Sequence, residues 1–307
     1  MQLYFFGTGA GRPSLERNVS SLALKLPQSK EIWLFDCGEG TQHQILASPF
    51  KLRKIKRLFI THLHGDHIFG LPGFLASRSF SAKDQKMALY GPPGIAEFLE
   101  TTLRTSFTRL SYPLEITEIE PDAELELGSW RIKVGLLDHG LVSYGYRLEE
   151  PHRPGRLQAE KLERLGIPAG PLYGRLKRGE TVVLESGEIL EGKDFVGPIQ
   201  PGRSVVILGD TRYSPASAQL AKGADLLVHE ATFEAALAEK AFEYYHSTTL
   251  QAAQVAQEAG VGKLVLTHFS SRYRRREYAA LLAEAKKIFP RTYLAEDHSS
   301  FTIPRKT

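Results

Sequence analysis

The stretch Thr61-His62-Leu63-His64-Gly65-Asp66-His67 sets four side chains that can ligate a metal, His62, His64, Asp66 and His67, within six consecutive positions. Imidazole nitrogen and carboxylate oxygen suit zinc and neighbouring divalent ions, and four such groups packed this closely can supply two ions rather than one. The apolar run Leu58-Phe59-Ile60 leads into them and Ile68-Phe69-Gly70-Leu71 follows, so the ligands fall where a buried strand opens into a loop. Helical spacing would point these positions around most of a cylinder. A loop turns them inward, and Gly65 gives it backbone freedom. The plain alternative is a polar surface loop that holds three of the ten histidines. Polar clusters at strand ends, however, are where sites are commonly built.

Four further apolar runs end in a similar way: Leu136-Leu137 before His139, Ile207-Leu208 before Asp210, Leu227-Val228 before His229, and Leu266 before His268. Strand ends of one α/β layer share an edge, so residues far apart in sequence converge there. This predicts one dinuclear site from His62, His64, Asp66, His67, His139, Asp210 and His268. A single histidine in such a place is usually a satisfied core or surface residue. Seven ligand-type residues in one repeated context are not explained that way.

The elements that must carry these residues alternate strand and helix. Leu3–Phe6, Leu22–Leu26 and Ile32–Phe35 read as strands of one sheet, joined by glycine turns. The turn Gly7-Thr8-Gly9-Ala10-Gly11 lacks the P-loop ending and the GxGxxG spacing, so it reads as a tight turn near the site. Asp36, directly after Phe35, is placed to support the metal loop from behind. A helix through Phe80, a strand at Met87–Tyr90 and a helix opened by Pro92-Pro93 and running to about Phe107 come next. Strands follow near Leu114–Ile119, Trp130–Leu137 and Tyr144–Leu148. After residue 203 the pattern resumes with strands at 204–210, 226–230 and 264–268, and helices around Ala235–Tyr245, Leu250–Ala259 and Glu277–Phe289. Thr248 is the predicted N-cap of the second of these helices.

Between these halves, residues 151 to 201 carry six prolines, many glycines and many basic residues, without a long apolar period. A segment of this length inside a compact domain is usually functional or flexible. It reads as an inserted flexible arm bounded by Glu150 and Gly202, with local order only in pieces such as Gln158–Leu165.

With 307 residues, 42% of them apolar and 24% charged, the chain can bury a large core and does not read as disordered. Its lone cysteine, Cys37, excludes an internal disulfide framework and suggests reducing cytoplasm. Cys37 itself reads as an inert core thiol, and His43 is given no role. Met1 to Phe6 show no signal-peptide pattern, and no apolar run approaches the ~20 residues of a membrane span. The net charge of +4 permits a polyanionic partner without requiring one. Basic residues gather at 51–57, 153–178 and 272–276; each group taken alone is an ordinary solvated face.

The histidine cluster, with His139, Asp210 and His268, resembles the signature of the metallo-β-lactamase superfamily. More narrowly, His229-Glu230-Ala231-Thr232 together with His246-Ser247-Thr248 resembles the paired motif of the ribonuclease Z family, which matures the 3′ end of transfer RNA. Gly170-Pro171 followed by Leu176-Lys177-Arg178-Gly179 is similar to that family's short-form exosite. The resemblance covers nearly the whole chain.

It implies an α/β fold, the metallo-β-lactamase αβ/βα sandwich of two mixed sheets flanked by helices, with a protruding exosite arm. It implies two zinc ions per subunit, with manganese or cobalt as substitutes. His62, His64 and His139 would hold one ion, Asp66, His67 and His268 the other, and Asp210 both. Asp66 would also take a proton from the attacking water, and His246, oriented by Glu230, would act on the leaving 3′ oxygen. His229 is not a ligand in the family pattern. Gly170, Pro171, Lys177 and Arg178 would contact precursor tRNA, with no DNA or membrane partner, and the arm of one subunit would serve the other in a homodimer. The family's Pro-x-Lys-x-Arg-Asn loop, tied to refusing ends that carry CCA, corresponds to Pro13-Ser14-Leu15-Glu16-Arg17-Asn18. Arg17 and Asn18 match, but Leu15 stands where lysine is expected.

Two rivals follow from the same residues. One is another hydrolase of the superfamily, acting on a thioester, lactone or small phosphodiester; it would need a pocket rather than a basic arm. The other is an RNA-binding module without catalysis, in which seven intact ligands would have no purpose.

Overall fold

The strand Gln2–Gly7 draws its partners from both ends of the chain, pairing antiparallel with Ser300–Thr302 on one side and Ser21–Lys25 on the other. The computed structural model that shows this describes residues 1–27 and 31–305. Among the described residues the first sheet has seven strands, in the order Ser300–Thr302, Gln2–Gly7, Ser21–Lys25, Ile32–Phe35, Ile55–Phe59, Met87–Gly91 and Leu114–Glu118. Its last four strands run parallel, so their carboxyl ends lie on one edge. The second sheet, also seven-stranded, has the order Thr292–Leu294, Leu264–Thr267, Leu226–Glu230, Ser204–Leu208, Ser143–Glu149, Trp130–Leu137 and Glu124–Leu127. Its first four are parallel as well. Ser204–Leu208 and Leu226–Glu230 are buried along their whole length, as continuous apolar strands covered on both faces must be.

Helices Leu71–Ser79 and Ile95–Thr105 cover one sheet through Phe74, Leu75, Ile95 and Leu99. Helices Thr249–Ala259 and Tyr278–Ile288 cover the other through Ala252, Val255, Ala256 and Leu281. Aromatic side chains join the sheets: Tyr146 packs on Phe59 (5.4 Å) and Phe35 (5.9 Å), and its hydroxyl donates to the Ile60 carbonyl at 2.6 Å. The predicted N-cap Thr248 is present, with a full capping box to Gln251. The helix expected from Pro92-Pro93 begins later, at Ile95, after a left-handed Gly94. Glu118 accepts from the Gly94 and Ala96 amides at 2.8 and 3.1 Å, which fixes the first turn there. Among the described residues no helix is long and apolar enough to cross a membrane.

The chain divides into two compact units. One comprises Met1–Leu127, Arg131–Leu148 and Ser204–Pro304 and holds every residue of the predicted metal cluster; the other is mainly Glu149–Arg203. The second unit is more ordered than its proline and glycine content predicts. It contains helices Ala159–Arg164 and Pro171–Lys177, a hairpin of Thr181–Val183 with Ile189–Glu191, and a short helix Gly192–Phe195. Leu162, Ile167, Leu176, Val182, Leu190 and Phe195 form its own apolar core. These positions follow no single period because they come from short, dissimilar elements, which is why a periodic search passes over them. Near the unit's two ends in sequence, Glu150 and Arg203 make a buried two-point ion pair, 2.7 Å at each contact. Arg153 pairs with Gln200, and Leu157 with Val196, in isolated antiparallel bridges.

Candidate active site

All seven ligands predicted from the histidine cluster and the strand ends reach the same place, and His229, which was not expected to ligate, stays apart. His62 and His64 follow strand Ile55–Phe59 in extended backbone, and His64 caps a single helical turn, Gly65–Ile68, that carries Asp66 and His67. The expectation that a loop alone arranges the four is therefore corrected. The two pairs serve different ligand groups, so one helical turn suffices. Gly65 is helical and has no positive φ. A Cβ there would sit 2.2 Å from the Phe69 ring, so the glycine answers a close approach and not a need for freedom. His139, Asp210 and His268 come from the ends of strands in the second sheet. At Gly209 a Cβ would lie 2.7 Å from Thr61 Cβ, so only glycine lets the strand carrying Asp210 meet the His62 loop.

Ligand atoms of His62, His64, His139 and Asp210 lie within 4.8 Å of one another, as do those of Asp66, His67 and His268, and those of Asp210, His246 and His268. Asp210 Oδ2 stands 3.6 Å from His62 Nε2, 3.6 Å from His67 Nε2 and 3.3 Å from His268 Nε2, between the two groups. The far nitrogen of each imidazole is engaged elsewhere. His67 Nδ1 meets Asp36 Oδ2 at 2.8 Å, His139 Nδ1 meets the Tyr245 carbonyl at 2.8 Å, and His268 Nδ1 meets Thr232 Oγ1 at 3.0 Å. This leaves Nε2 as the ligand atom of each. His64 differs: its Nδ1 faces His62 Nε2 at 3.1 Å and His139 Nε2 at 3.2 Å. His67 and His268 bring Nε2 to Nε2 at 3.3 Å. Nitrogen atoms converging this way make chemical sense around cations, and the donor set fits two divalent ions.

The electrostatics agree. Burial keeps His62, His64 and His139 below the usual imidazole pKa, hence neutral and able to ligate. Burial disfavours charge on Asp66 and Asp210, but the surrounding imidazoles outweigh it and hold both below the carboxylate range. At His67 burial is likewise outweighed, by Asp210, Asp36 and Asp66, and its pKa rises well above the usual value. The pocket thus calls for positive charge, which a divalent ion supplies better than a proton. Asp36 and His268 both have left-handed backbone, with φ of 55° and 59°, a strain that often gathers at functional sites.

Beside the ligands, Glu230 is buried and saturated. Its Oε1 accepts from the Ser247 amide at 2.8 Å and meets His246 Nδ1 at 3.0 Å; its Oε2 accepts from the Thr232 amide and hydroxyl at 2.9 and 2.8 Å. Burial lowers the tendency of His246 to ionise, but the Glu230 carboxylate overrides it and the His246 pKa is pushed up to about 9. His229 points elsewhere: its Nδ1 meets the Glu230 carbonyl at 2.7 Å, and it joins no ligand group.

Other predicted residues fall as follows. Arg17 is buried, donating to Tyr278 Oη at 2.9 Å and to the Ala295 carbonyl at 2.7 Å, with its guanidinium over the rings of Phe269 and Tyr278. Within the loop assigned to substrate it acts as an internal support, its Nε and Nη1 donating to protein acceptors. Asn18 does related work, donating from its amide to Asp297 Oδ2 at 2.7 Å and from Nδ2 to the Glu39 carbonyl at 2.8 Å. Gly170 and Pro171 open the helix Pro171–Lys177, whereas Lys177 and Arg178 close it, so the two pairs stand at opposite helix ends. Cys37 is buried, and burial pushes its thiol pKa far up. His43 lies exposed on helix Thr41–Leu46, outside the ligand groups. Sequence reasoning missed three supports: the Gly11 amide, which donates to Asp66 Oδ2 at 2.7 Å, the Tyr245 carbonyl and Thr232. Only Thr232 left a signal, since it ends the His-Glu-Ala-Thr motif.

Two sheets flanked by helices, with histidine and carboxylate ligands gathered at the strand ends, define a metallo-β-lactamase fold. Comparison with solved structures agrees: a metallo-β-lactamase fold protein YhfI from Bacillus subtilis, 20% identical, matches with a TM-score of 0.68 over 98% of both chains. The short form of human tRNase Z, 30% identical, matches with a TM-score of 0.72 over 99% of this chain and 100% of that one. The family model described as Anti-Pycsar protein Apyc1 matches residues 1–148, a span that stops before Asp210, Glu230, His246 and His268. Ribonuclease Z of Limosilactobacillus fermentum is 52% identical over 100% of this chain and 99% of its own length. That of Enterococcus faecalis is 53% identical over 99% and 98%. The chain belongs to the ribonuclease Z family.

Proposed function

We propose that this chain is the metal-dependent endoribonuclease that removes the 3′ trailer from tRNA precursors. It cuts 3′ of the discriminator nucleotide, leaving a 3′ hydroxyl on the tRNA and a 5′ phosphate on the trailer. The observation that carries this reading is the adjacency of two ligand groups sharing Asp210 to the ion pair of His246 with Glu230, in a chain half identical to named ribonucleases Z over its full length.

His62, His64 and His139 would hold one ion, Asp66, His67 and His268 the second, with Asp210 shared. Two zinc ions there, or manganese or cobalt in their place, would supply Lewis-acid activation of water and of the phosphate oxygens. Asp66, fixed by the Gly11 amide, takes the proton of the attacking water. His246 carries its own proton at neutral pH because of Glu230, which occupies Nδ1 and leaves Nε2 to protonate the departing 3′ oxygen.

Lys177 and Arg178, with Gly170 and Pro171 setting the helix between them, bind the folded RNA through backbone phosphates. Arg178 pairs with Glu180 at 2.8 Å while remaining mostly exposed, so it can exchange that partner for a phosphate. The working form is a homodimer in the cytoplasm, in which the Glu149–Arg203 segment of one subunit serves the partner's site.

The test is cleavage of a 3′-extended tRNA precursor by zinc-loaded protein, with and without a chelator, with Asp66→Ala alongside and with the cut and its ends mapped. The expected result is a chelator-sensitive cut just 3′ of the discriminator, leaving a 3′ hydroxyl and absent in the variant. A folded, metal-loaded protein that leaves the precursor intact but hydrolyses a small phosphodiester would move the assignment to another metallo-β-lactamase-fold hydrolase.

A further inference from the structure

Arg212 lies two residues past Asp210 and is held without full use of its own donors. Its Nε is buried with no hydrogen-bond partner, whereas its guanidinium carbon lies 4.0 Å from the centre of the Tyr245 ring and 4.3 Å from that of Phe242. Its amide donates to the Asp138 carbonyl at 2.8 Å, and its Nη2 stands 3.3 Å from Asp138 Oδ1. Arginine is suited to such a place, being planar and weakly hydrated enough to lie on rings.

The residue held down is strained. Tyr245 has left-handed backbone, φ 60°, which a bulky non-glycine residue adopts only where its surroundings enforce it. That conformation aims the Tyr245 carbonyl at His139 Nδ1, 2.8 Å away. The next residue is His246, whose amide donates back to the Ala241 carbonyl at 2.8 Å. A single clamp therefore touches two functions. Through the carbonyl it keeps the His139 proton on Nδ1 and Nε2 free to ligate. Through the chain it sets where His246 begins.

We propose that Arg212, stacked on Tyr245 and Phe242, is a positioning residue that fixes the His139 tautomer and the His246 loop together. The proposal rests on the metal-assisted reading above, but its first readouts need no RNA. Without the stack Tyr245 relaxes toward ordinary backbone angles, its carbonyl turns from His139, and the imidazole is free to change tautomer.

Zinc retention against a graded chelator, the ¹⁵N signals of the His139 ring and kcat on precursor would be measured together. Arg212→Ala, Arg212→Lys and Tyr245→Ala are each expected to lose zinc about ten- to a hundredfold more readily, as when a metal ligand loses its supporting bond. Their kcat is expected to fall alongside, with mixed tautomer signals from His139. Tyr245→Ala is informative because alanine loses the ring and keeps the preference for ordinary backbone angles. Tyr245→Phe keeps the ring and wild-type zinc retention. The double variant Arg212→Ala with Tyr245→Ala is expected to be no worse than the worse single, since both remove one device. Wild-type zinc retention and an unmixed tautomer in Arg212→Ala would overturn the proposal. So would losses that multiply in the double variant, or a Tyr245→Phe variant as impaired as Tyr245→Ala. A precursor that is not cut at all would refute the RNA reading while leaving the zinc and ¹⁵N tests of the clamp intact.

Discussion

Around Asp210, each of His67, His139 and His268 has a second polar partner behind it, Asp36, the Tyr245 carbonyl and Thr232. In the segment Glu149–Arg203 six apolar side chains do the holding, and Arg175 and Arg178 share one exposed carboxylate, Glu180. The first arrangement fixes atoms to within a hydrogen bond, as a metal and an in-line displacement require. The second keeps a small scaffold folded and leaves its cations free to change partners, as binding to a polyanion requires. Under the proposed function chemistry and substrate choice are separable, and perturbations of the two regions should differ in kind.

The largest effect is expected at His246. His246→Ala removes the proposed proton donor and should lower kcat by about 10²- to 10⁴-fold. Glu230→Gln should act through pH. The His246 pKa is raised from the ordinary 6.5 to about 9 by Glu230, so the pair's contribution is fully present below about 6.5 and is lost as pH rises through about 9. Wild-type kcat should therefore fall on the alkaline side near pH 9, and Glu230→Gln should move that limb toward neutral pH. Profiles that coincide would detach His246 from the proton transfer.

Removal of residues 158–195 comes next in size. The Gly197 amide donates to the Arg156 carbonyl at 2.9 Å, so the cut ends already lie together and a short glycine linker closes them. Precursor cleavage should weaken about ten- to a hundredfold and lose part of its salt dependence, because phosphate contacts carry both. Hydrolysis of a small phosphodiester should fall far less. Equal losses on the two substrates would mean that the segment maintains the site instead of binding RNA.

Legibility in the sequence divides along the same line. His62, His64, Asp66 and His67 stand out because they are adjacent, and His139, Asp210 and His268 because apolar runs end at them. Convergence at a shared strand edge is a property of the fold class, so it is inferable before any coordinate is known. Hydrogen bonds from main-chain atoms are not. The Tyr245 carbonyl and the Gly11 amide carry no side-chain identity, and which one faces His139 or Asp66 depends on loop paths. Arg17 shows the converse limit: a motif match places a residue in a loop without telling which way its side chain turns, and here it is buried among Tyr278, Phe269 and Ala295. In Glu149–Arg203 the core residues come from elements of three to seven residues and, for Ile167, from the link between two of them, too short for hydrophobic periodicity to show.

The smallest expected effect, at Leu15, bears on substrate choice alone. Its side chain is fully exposed, while the loop beneath is pinned by Arg17, by Asn18 and by the Ser14 amide donating to the Arg17 carbonyl at 2.8 Å. Leu15→Lys should therefore leave stability within about 0.5 kcal/mol of the parent, as is usual for an exposed substitution. The backbone is already set, so one exposed cation is the whole change, and any consequence must come from what approaches the loop. Cleavage of a precursor carrying CCA, compared with one lacking it, should fall a fewfold in Leu15→Lys if lysine at this position supports refusal of mature ends. An unchanged ratio would mean that refusal, where it occurs, depends on the loop's shape, which Arg17 and Asn18 hold, and not on the charge at position 15.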